Sequence, residues 1–229
     1  MTASSPPRAR QLPLSLPHAA AMTRADFLTG DANRAALTVI DAWPRWPWRA
    51  VLLAGPIGSG KSHLVAAWCA ASGGVCVRAS ALADGDVEAL TAAGAVAVED
   101  LHAGPIDEQA LFHLLNRAAE RGVPMLMTSR VWPAALPLRL ADLASRLRAA
   151  HSIEIGEPDD DLLRRMLTKL FADRQLAVDR AVVDYLVVRM ERSLDAANRI
   201  VAALDRTALA EGRAITRPLA AAALARTRG

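Results

Sequence analysis

Between residues 49 and 155 the sequence alternates short apolar runs with longer segments whose apolar residues recur every three or four positions. RAVLLAG at 49–55 is apolar up to a closing glycine and predicts a buried strand. GVCVRAS at 74–80, AVAVED at 95–100, VPMLMTS at 123–129 and HSIEI at 151–155 predict four more. Helices are predicted between them, over about 61–71, 84–93, 107–121 and 138–149. In the third, Leu111, Leu114, Leu115 and Ala118 share one face. Apolar strands alternating with helices predict an α/β fold, a parallel five-stranded sheet flanked by helices.

After Gly156 no strand pattern remains. Pro158 and the aspartates 159–161 open a helix, where acidic side chains suit the positive end of the helix dipole. Leu163, Met166, Leu167 and Leu170 form its apolar face. Val182, Val183, Leu186, Val187 and Met190 mark a second helix, and Leu194, Ala197, Val201 and Leu204 a third. A fourth is predicted over about 217–226. The expected organisation is a flexible arm rich in Pro, Ser, Ala and Arg over 1–22, an α/β unit over 23–156 and a small all-helical unit over 157–229. Ahead of the first strand, residues 26–42 read as a loop and then a helix, with Asp31 as candidate cap. PRWPW follows as a proline-marked connector.

Composition narrows the classes. The chain has 229 residues, enough to bury a real core in one compact unit or two small ones. No uncharged apolar run approaches the length of a membrane span, and prolines interrupt any signal-peptide core near the N-terminus. Cys69 and Cys76 are the only cysteines, which fits a reducing cytoplasm better than a disulfide scaffold. The net charge is +3, Lys61 and Lys169 are the only lysines, and no basic run forms a nucleic-acid patch. DNA contact is therefore expected only indirectly. No histidine pair shows metal-ligand spacing. Trp43, Trp46 and Trp48 read as a packing cluster, and Cys69 as a buried small residue.

GPIGSGKS at 55–62 satisfies G-x4-G-K-[ST] in full, between a predicted strand and a predicted helix. Gly55, Gly58 and Gly60 let the backbone curl, so that several N–H groups point inward at phosphate oxygens, and the expected nucleotide-binding set is Gly55, Pro56, Ile57, Gly58, Ser59, Gly60, Lys61, Ser62 and His63. Lys61 would reach the β- and γ-phosphates, and the Ser62 hydroxyl would ligand Mg²⁺. Glu99 and Asp100 close the third strand, where such proteins need carboxylates for the metal and the attacking water. The order Glu-Asp reverses the usual Asp-Glu, so nucleotide binding is expected with slow intrinsic hydrolysis. Thr128 and Ser129 end the fourth strand, beside the phosphate-loop strand in the usual winding. Arg146, near the end of the last helix before the fifth strand, and Arg192, at the opening of the third C-terminal helix, complete the polar set around a γ-phosphate.

This constellation resembles the AAA+ P-loop ATPases of the bacterial replication-initiator group. GPIGSGKSHL is similar to that group's phosphate loop, LMTS to its sensor 1 strand, LASRLRA to the segment carrying its arginine finger and RSLDAAN to its sensor 2 segment. DFLTGDAN resembles the stretch near the adenine. The resemblance implies an arginine finger at Arg146, a sensor 2 role for Arg192 and a helical lid after the base. Arg130, after the sensor 1 residues, departs from the acidic residue of the initiator. The sequence ends after the lid, without the initiator's helix-turn-helix domain, and its N-terminal arm carries QLPLSLP at 11–17, which looks like a sliding-clamp-binding motif. Gln11 would bond at a pocket rim, and Leu12, Leu14 and Leu16 would be apolar anchors. Together these resemble the Hda family, regulatory inactivators of the initiator DnaA. The resemblance implies a cytoplasmic protein holding ADP or ATP with Mg²⁺, partnered by the polymerase β clamp and DnaA, with a homodimer allowed. It implies that Arg146 acts in trans on initiator-bound ATP, while the protein's own ATPase is weak. The alternatives are a helicase loader or transposition helper of the DnaC or IstB kind, an adaptor without a catalytic contribution, and a small P-loop kinase.

Overall fold

The computed structural model describes residues 22–84 and 87–227. Five strands, β1 (Ala50–Ala54), β2 (Val75–Arg78), β3 (Val96–Glu99), β4 (Met125–Ser129) and β5 (His151–Glu154), form one parallel sheet in the order β2-β3-β4-β1-β5. The interior position of β1, between β4 and β5, goes with its wholly apolar sequence, because both of its faces are covered. Val51 and Leu53 point to one face, where they pack with Leu37 and Ile40 of α1 (Arg34–Asp41) and Leu64 and Trp68 of α2 (Lys61–Ser72). Leu52 and Ala54 point to the other, into a core shared with Leu111 and Leu114 of α4 (Glu108–Arg121) and Leu143 and Leu147 of α5 (Ala141–Ala149). Between β2 and β3 lies the short α3 (Val87–Ala92), packed on α4. Each large apolar side chain buried in these layers contributes about 1.5–3 kcal/mol.

The C-terminal helices α6 (Asp160–Asp173), α7 (Arg180–Arg189), α8 (Leu194–Glu211) and α9 (Arg217–Thr227) enclose a separate core around Leu163, Leu167, Leu186, Val201, Leu204 and Ala220. Their starts are set by side chains that satisfy otherwise unpaired N–H groups. Asp159 accepts from the Leu162 N–H at 2.7 Å, and Ser193 from the Ala196 N–H at 3.0 Å. In the same way Asp107 caps α4 by accepting from Ala110 at 2.9 Å. Among the described residues, polar contacts dock the helical part on the sheet part. The Leu194 N–H donates to the Gly58 carbonyl at 2.8 Å, Arg165 to the Thr29 carbonyl at 2.9 Å, and Lys169 pairs with Asp26 at 3.0 Å.

Several local expectations need correction. Asp31 does not cap α1; it pairs with Arg34, while Asn33 occupies the cap position and its Oδ1 accepts from the Gly30 N–H. The helix expected over 84–93 is present but shorter, as the six-residue α3, and a 3₁₀ turn, Ala79–Asp84, precedes it. The helix expected from 138 begins at Ala141, because the Glu108 carboxylate takes the N–H groups of Arg139 and Leu140 and holds them extended. Trp43 and Trp46 pack with Trp68, whereas Trp48 leaves that cluster and stacks on His151 with ring centroids 3.5 Å apart. Cys69 is half-buried rather than buried. Among the described residues no helix is long and apolar enough to cross a membrane.

Candidate functional site

The phosphate loop leaves β1 at Gly55, whose N–H donates to the Ser129 carbonyl at 3.1 Å and so ties the loop to β4. Gly58 and Gly60 have φ of +69° and +99°, a region that L side chains enter at a cost. Both are also crowded. A Cβ at Gly58 would lie 2.8 Å from the Ser193 side chain, and one at Gly60 would lie 2.9 Å from the Phe27 ring. Glycine is therefore required at these two positions on two grounds. The loop ends at Lys61, the first residue of α2.

In front of the loop lies a cleft of about 310 Å³. One wall is the loop itself, Ile57, Gly58, Gly60, Lys61, Ser62 and His63. Asp100 and Arg130 project into it from the loops after β3 and β4. Leu194, Asp195 and Asn198 of α8 close it from the lid side, and Met22, Phe27, Leu28 and Met166 give it an apolar end. This mixture of apolar surface and a few convergent polar groups suits a ligand with a flat apolar part and an anionic tail. His63 is fixed by Phe27, edge-on at 5.3 Å, and by a 2.6 Å contact with the Thr23 carbonyl.

Lys61 is buried, and its Nζ donates to the Gly55 and Pro56 carbonyls, each at 2.7 Å, and to Ser59 Oγ at 3.3 Å. Burial lowers its pKa from 10.5 to about 8, with Arg130 adding to the effect and Asp100 and Glu99 opposing it. Asp100 sits at φ +63°, a strained setting for a non-glycine residue. Thr128 overdetermines it, with Oγ1 accepting the Asp100 N–H and the carbonyl accepting the Leu101 N–H, both at 3.0 Å.

The two strand-end carboxylates part company. Asp100 lines the cleft, whereas Glu99 faces Cys76, whose Sγ lies 3.5 Å from Oε2. Glu99 Oε1 is buried without a hydrogen-bond partner among the described residues. Partial burial and then the Glu99 carboxylate push the Cys76 thiol up to about 12.

The expected neighbour relation at β4 is observed, with Thr128 opposite Leu53 and Ser129 opposite Ala54. Both hydroxyl residues are nonetheless buried and absent from the cleft lining. Arg192 precedes the Ser193 cap rather than opening α8, and its guanidinium is held on Asp160 at 2.8 Å, also outside the cleft lining. Arg146 is exposed on α5, with its guanidinium 5.4 Å from the Phe112 ring centre, and does not line this cleft. Gln11, Leu12, Leu14 and Leu16 fall outside the described residues. Sequence reasoning did not assign the cleft residues Met166, Leu194, Asp195 and Asn198. For Leu194, Asp195 and Asn198 the signal was the RSLDAAN segment, whose helix N-terminus meets the phosphate loop.

A parallel sheet in this order, a phosphate loop after its interior strand β1 and a helical lid bonded to that loop define an AAA+ P-loop fold. The solved structures agree. Domain III of the replication initiation protein DnaA from Thermotoga maritima matches with a TM-score of 0.73 at 16% identity, over 90% of this chain and 96% of that one. AMPPCP-bound DnaA from Aquifex aeolicus matches with a TM-score of 0.67 at 20% identity, over 83% and 67%. The Thermotoga maritima RuvB branch-migration motor matches with a TM-score of 0.69 at 13% identity, over 89% and 71%. No curated protein matches the sequence. Residues 159–224 match the family model described as Hda, lid domain. Residues 159–224 are thus similar to the lid of Hda, and the whole chain shares the fold of DnaA domain III.

Proposed function

We propose that this protein is a DnaA-related replication regulator that binds an adenine nucleotide and lowers the activity of the initiator by promoting hydrolysis of the initiator's ATP. The observation that carries this reading is the position of Arg146 on a chain with an Hda-type lid. It is exposed on α5 and outside the lining of its own phosphate cleft, so it is available to another nucleotide site. Presented to ATP in a neighbouring initiator, its guanidinium would stabilise charge on the transferred phosphoryl group, an effect worth about 10³–10⁵ in rate. The AMPPCP bound in DnaA structures of the same fold supports nucleotide in the cleft.

In this reading the base over 23–156 and the lid over 157–229 close on nucleotide between them. Phe27, Leu28 and Met166 would take the adenine end, the phosphate loop would take the phosphates, and Lys61 would exchange the Gly55 and Pro56 carbonyls for phosphate oxygens. Ser62 and Asp100 fit Mg²⁺ carried in with the nucleotide, since one hydroxyl and one carboxylate suffice when phosphates complete the shell. Bound there, the ion would neutralise phosphate charge. Glu99, turned toward Cys76, does not join that donor set. Arg192 would report on nucleotide only by giving up Asp160.

Docking on the β clamp is assigned to Gln11, Leu12, Leu14 and Leu16. A labelled peptide of residues 8–18 is expected to bind the clamp, with loss on Gln11→Ala. Absence of binding by the peptide and by the whole protein alike would turn the reading toward helicase loading, which needs no clamp motif.

A further inference from the structure

In the described structure, the side chain that reaches the cleft from the end of β4 is Arg130. Thr128 and Ser129 are 1% and 0% exposed, and both hydroxyls serve the fold. Thr128 accepts the Asp100 N–H, and Ser129 Oγ accepts the Val131 N–H at 3.1 Å. Arg130 is fixed between these contacts. Its own N–H donates to His102 Nδ1 at 3.0 Å, so the loops after β3 and β4 hold its backbone jointly.

The guanidinium makes no hydrogen bond or ion pair among the described residues. Its charge is nevertheless felt by Lys61 and by His102, both of which it disfavours in their charged forms. Of the carboxylates in the same lining, Asp26 is paired with Lys169 and Asp195 with Arg199. Asp100 alone is left facing two cations. Arg192, the other arginine expected here, is occupied by Asp160. The cleft thus holds an excess of fixed positive charge beside the phosphate loop, unfavourable as it stands and favourable once a polyanion enters.

We propose that Arg130 is the group that distinguishes a nucleoside triphosphate from a diphosphate in this protein, its planar fork taking oxygens of the terminal phosphate. The proposal rests on nucleotide binding in this cleft. Lys61 at the loop and Arg130 at the β4 end stand on two separate elements, so a terminal phosphate between them would join the base across the cleft. An arginine suits this place because its guanidinium stays charged and binds phosphate in a two-point manner. His102 is a positioning residue, acting through the Arg130 backbone.

The test is titration of the whole protein with fluorescent ADP and with a fluorescent non-hydrolysable ATP analogue, in magnesium. Arg130→Ala is expected to weaken the triphosphate by about 10- to 100-fold, the loss of a charged hydrogen-bonded contact, and the diphosphate by less than about threefold. Arg130→Lys, which keeps charge without the fork, is expected between the two proteins. Equal weakening of both nucleotides, or no change in either, would overturn the proposal. So would a loss of discrimination in Arg192→Ala with Arg130→Ala unaffected. A parent protein that binds neither nucleotide would fail the nucleotide reading itself, before the role of Arg130 is reached.

Discussion

Lys61 sits on two loop carbonyls where a phosphate-bound lysine would sit on oxygen anions, and this makes its proton a reporter of ligand. Its pKa is lowered from 10.5 to about 8, by burial first and by Arg130 next. Below pH 8 it is charged with or without nucleotide. Between about 8 and 10.5 it is neutral in the free protein, while phosphate favours the charged form. Nucleotide affinity should therefore fall as pH rises above about 8. For folding the same shift has the opposite sense, since the unfolded chain holds the extra proton in that window and stability gains as pH rises through it. Calorimetry at pH 8 in two buffers of different ionisation enthalpy should show uptake of about half a proton per nucleotide, and zero uptake would contradict the picture. Lys61 and the loop glycines were legible in the sequence because the motif fixes both identity and spacing. Arg130 and Arg192 were not, since where each points depends on His102 and on Asp160, partners 28 and 32 positions away that no local pattern announces.

The junction of the phosphate loop with α8 is where base and lid meet most closely. The Gly58 carbonyl accepts the first N–H of α8, and Ser193 and Asp195 fill the space a side chain would need. Gly58→Ala combines a left-handed backbone, costing about 1–2 kcal/mol, with contacts under 3 Å. The lid helix must then move away. The expected result is a melting temperature lower by several degrees and a nucleotide affinity reduced more than about tenfold, read by thermal unfolding with and without ligand. An unchanged affinity would show that the junction is not part of the site. The strands and the longer helices were legible because burial on one or both faces writes a clear period. The start of α5 and the 3₁₀ turn before α3 were not, since the Glu108 carboxylate and turn hydrogen bonds override local preference there.

At the scale of the whole molecule, the two proposed roles fall on separate parts of the fold. The phosphate-loop cleft lies at the C-terminal ends of β1, β3 and β4, against the lid, while Arg146 is exposed on α5 beside a groove at the N-terminal ends of β1 and β4. A protein so arranged can keep its own nucleotide for shape and offer its arginine to another. The fold class was readable from the apolar pattern, and the lid from the change of period after Gly156. What Arg146 would meet is suggested only by the resemblance, because a surface arginine carries no local mark of its partner. The central claim is that Arg146 acts on initiator-bound ATP while residues 11–16 bring it there. The measurement is ATP hydrolysis by DnaA with DNA-loaded clamp, adding the parent protein, Gln11→Ala or Arg146→Ala. Strong stimulation by the parent, lost in both variants with their folding and nucleotide binding intact, is the predicted result. Equal stimulation by Arg146→Ala, or none by the parent, would contradict the account.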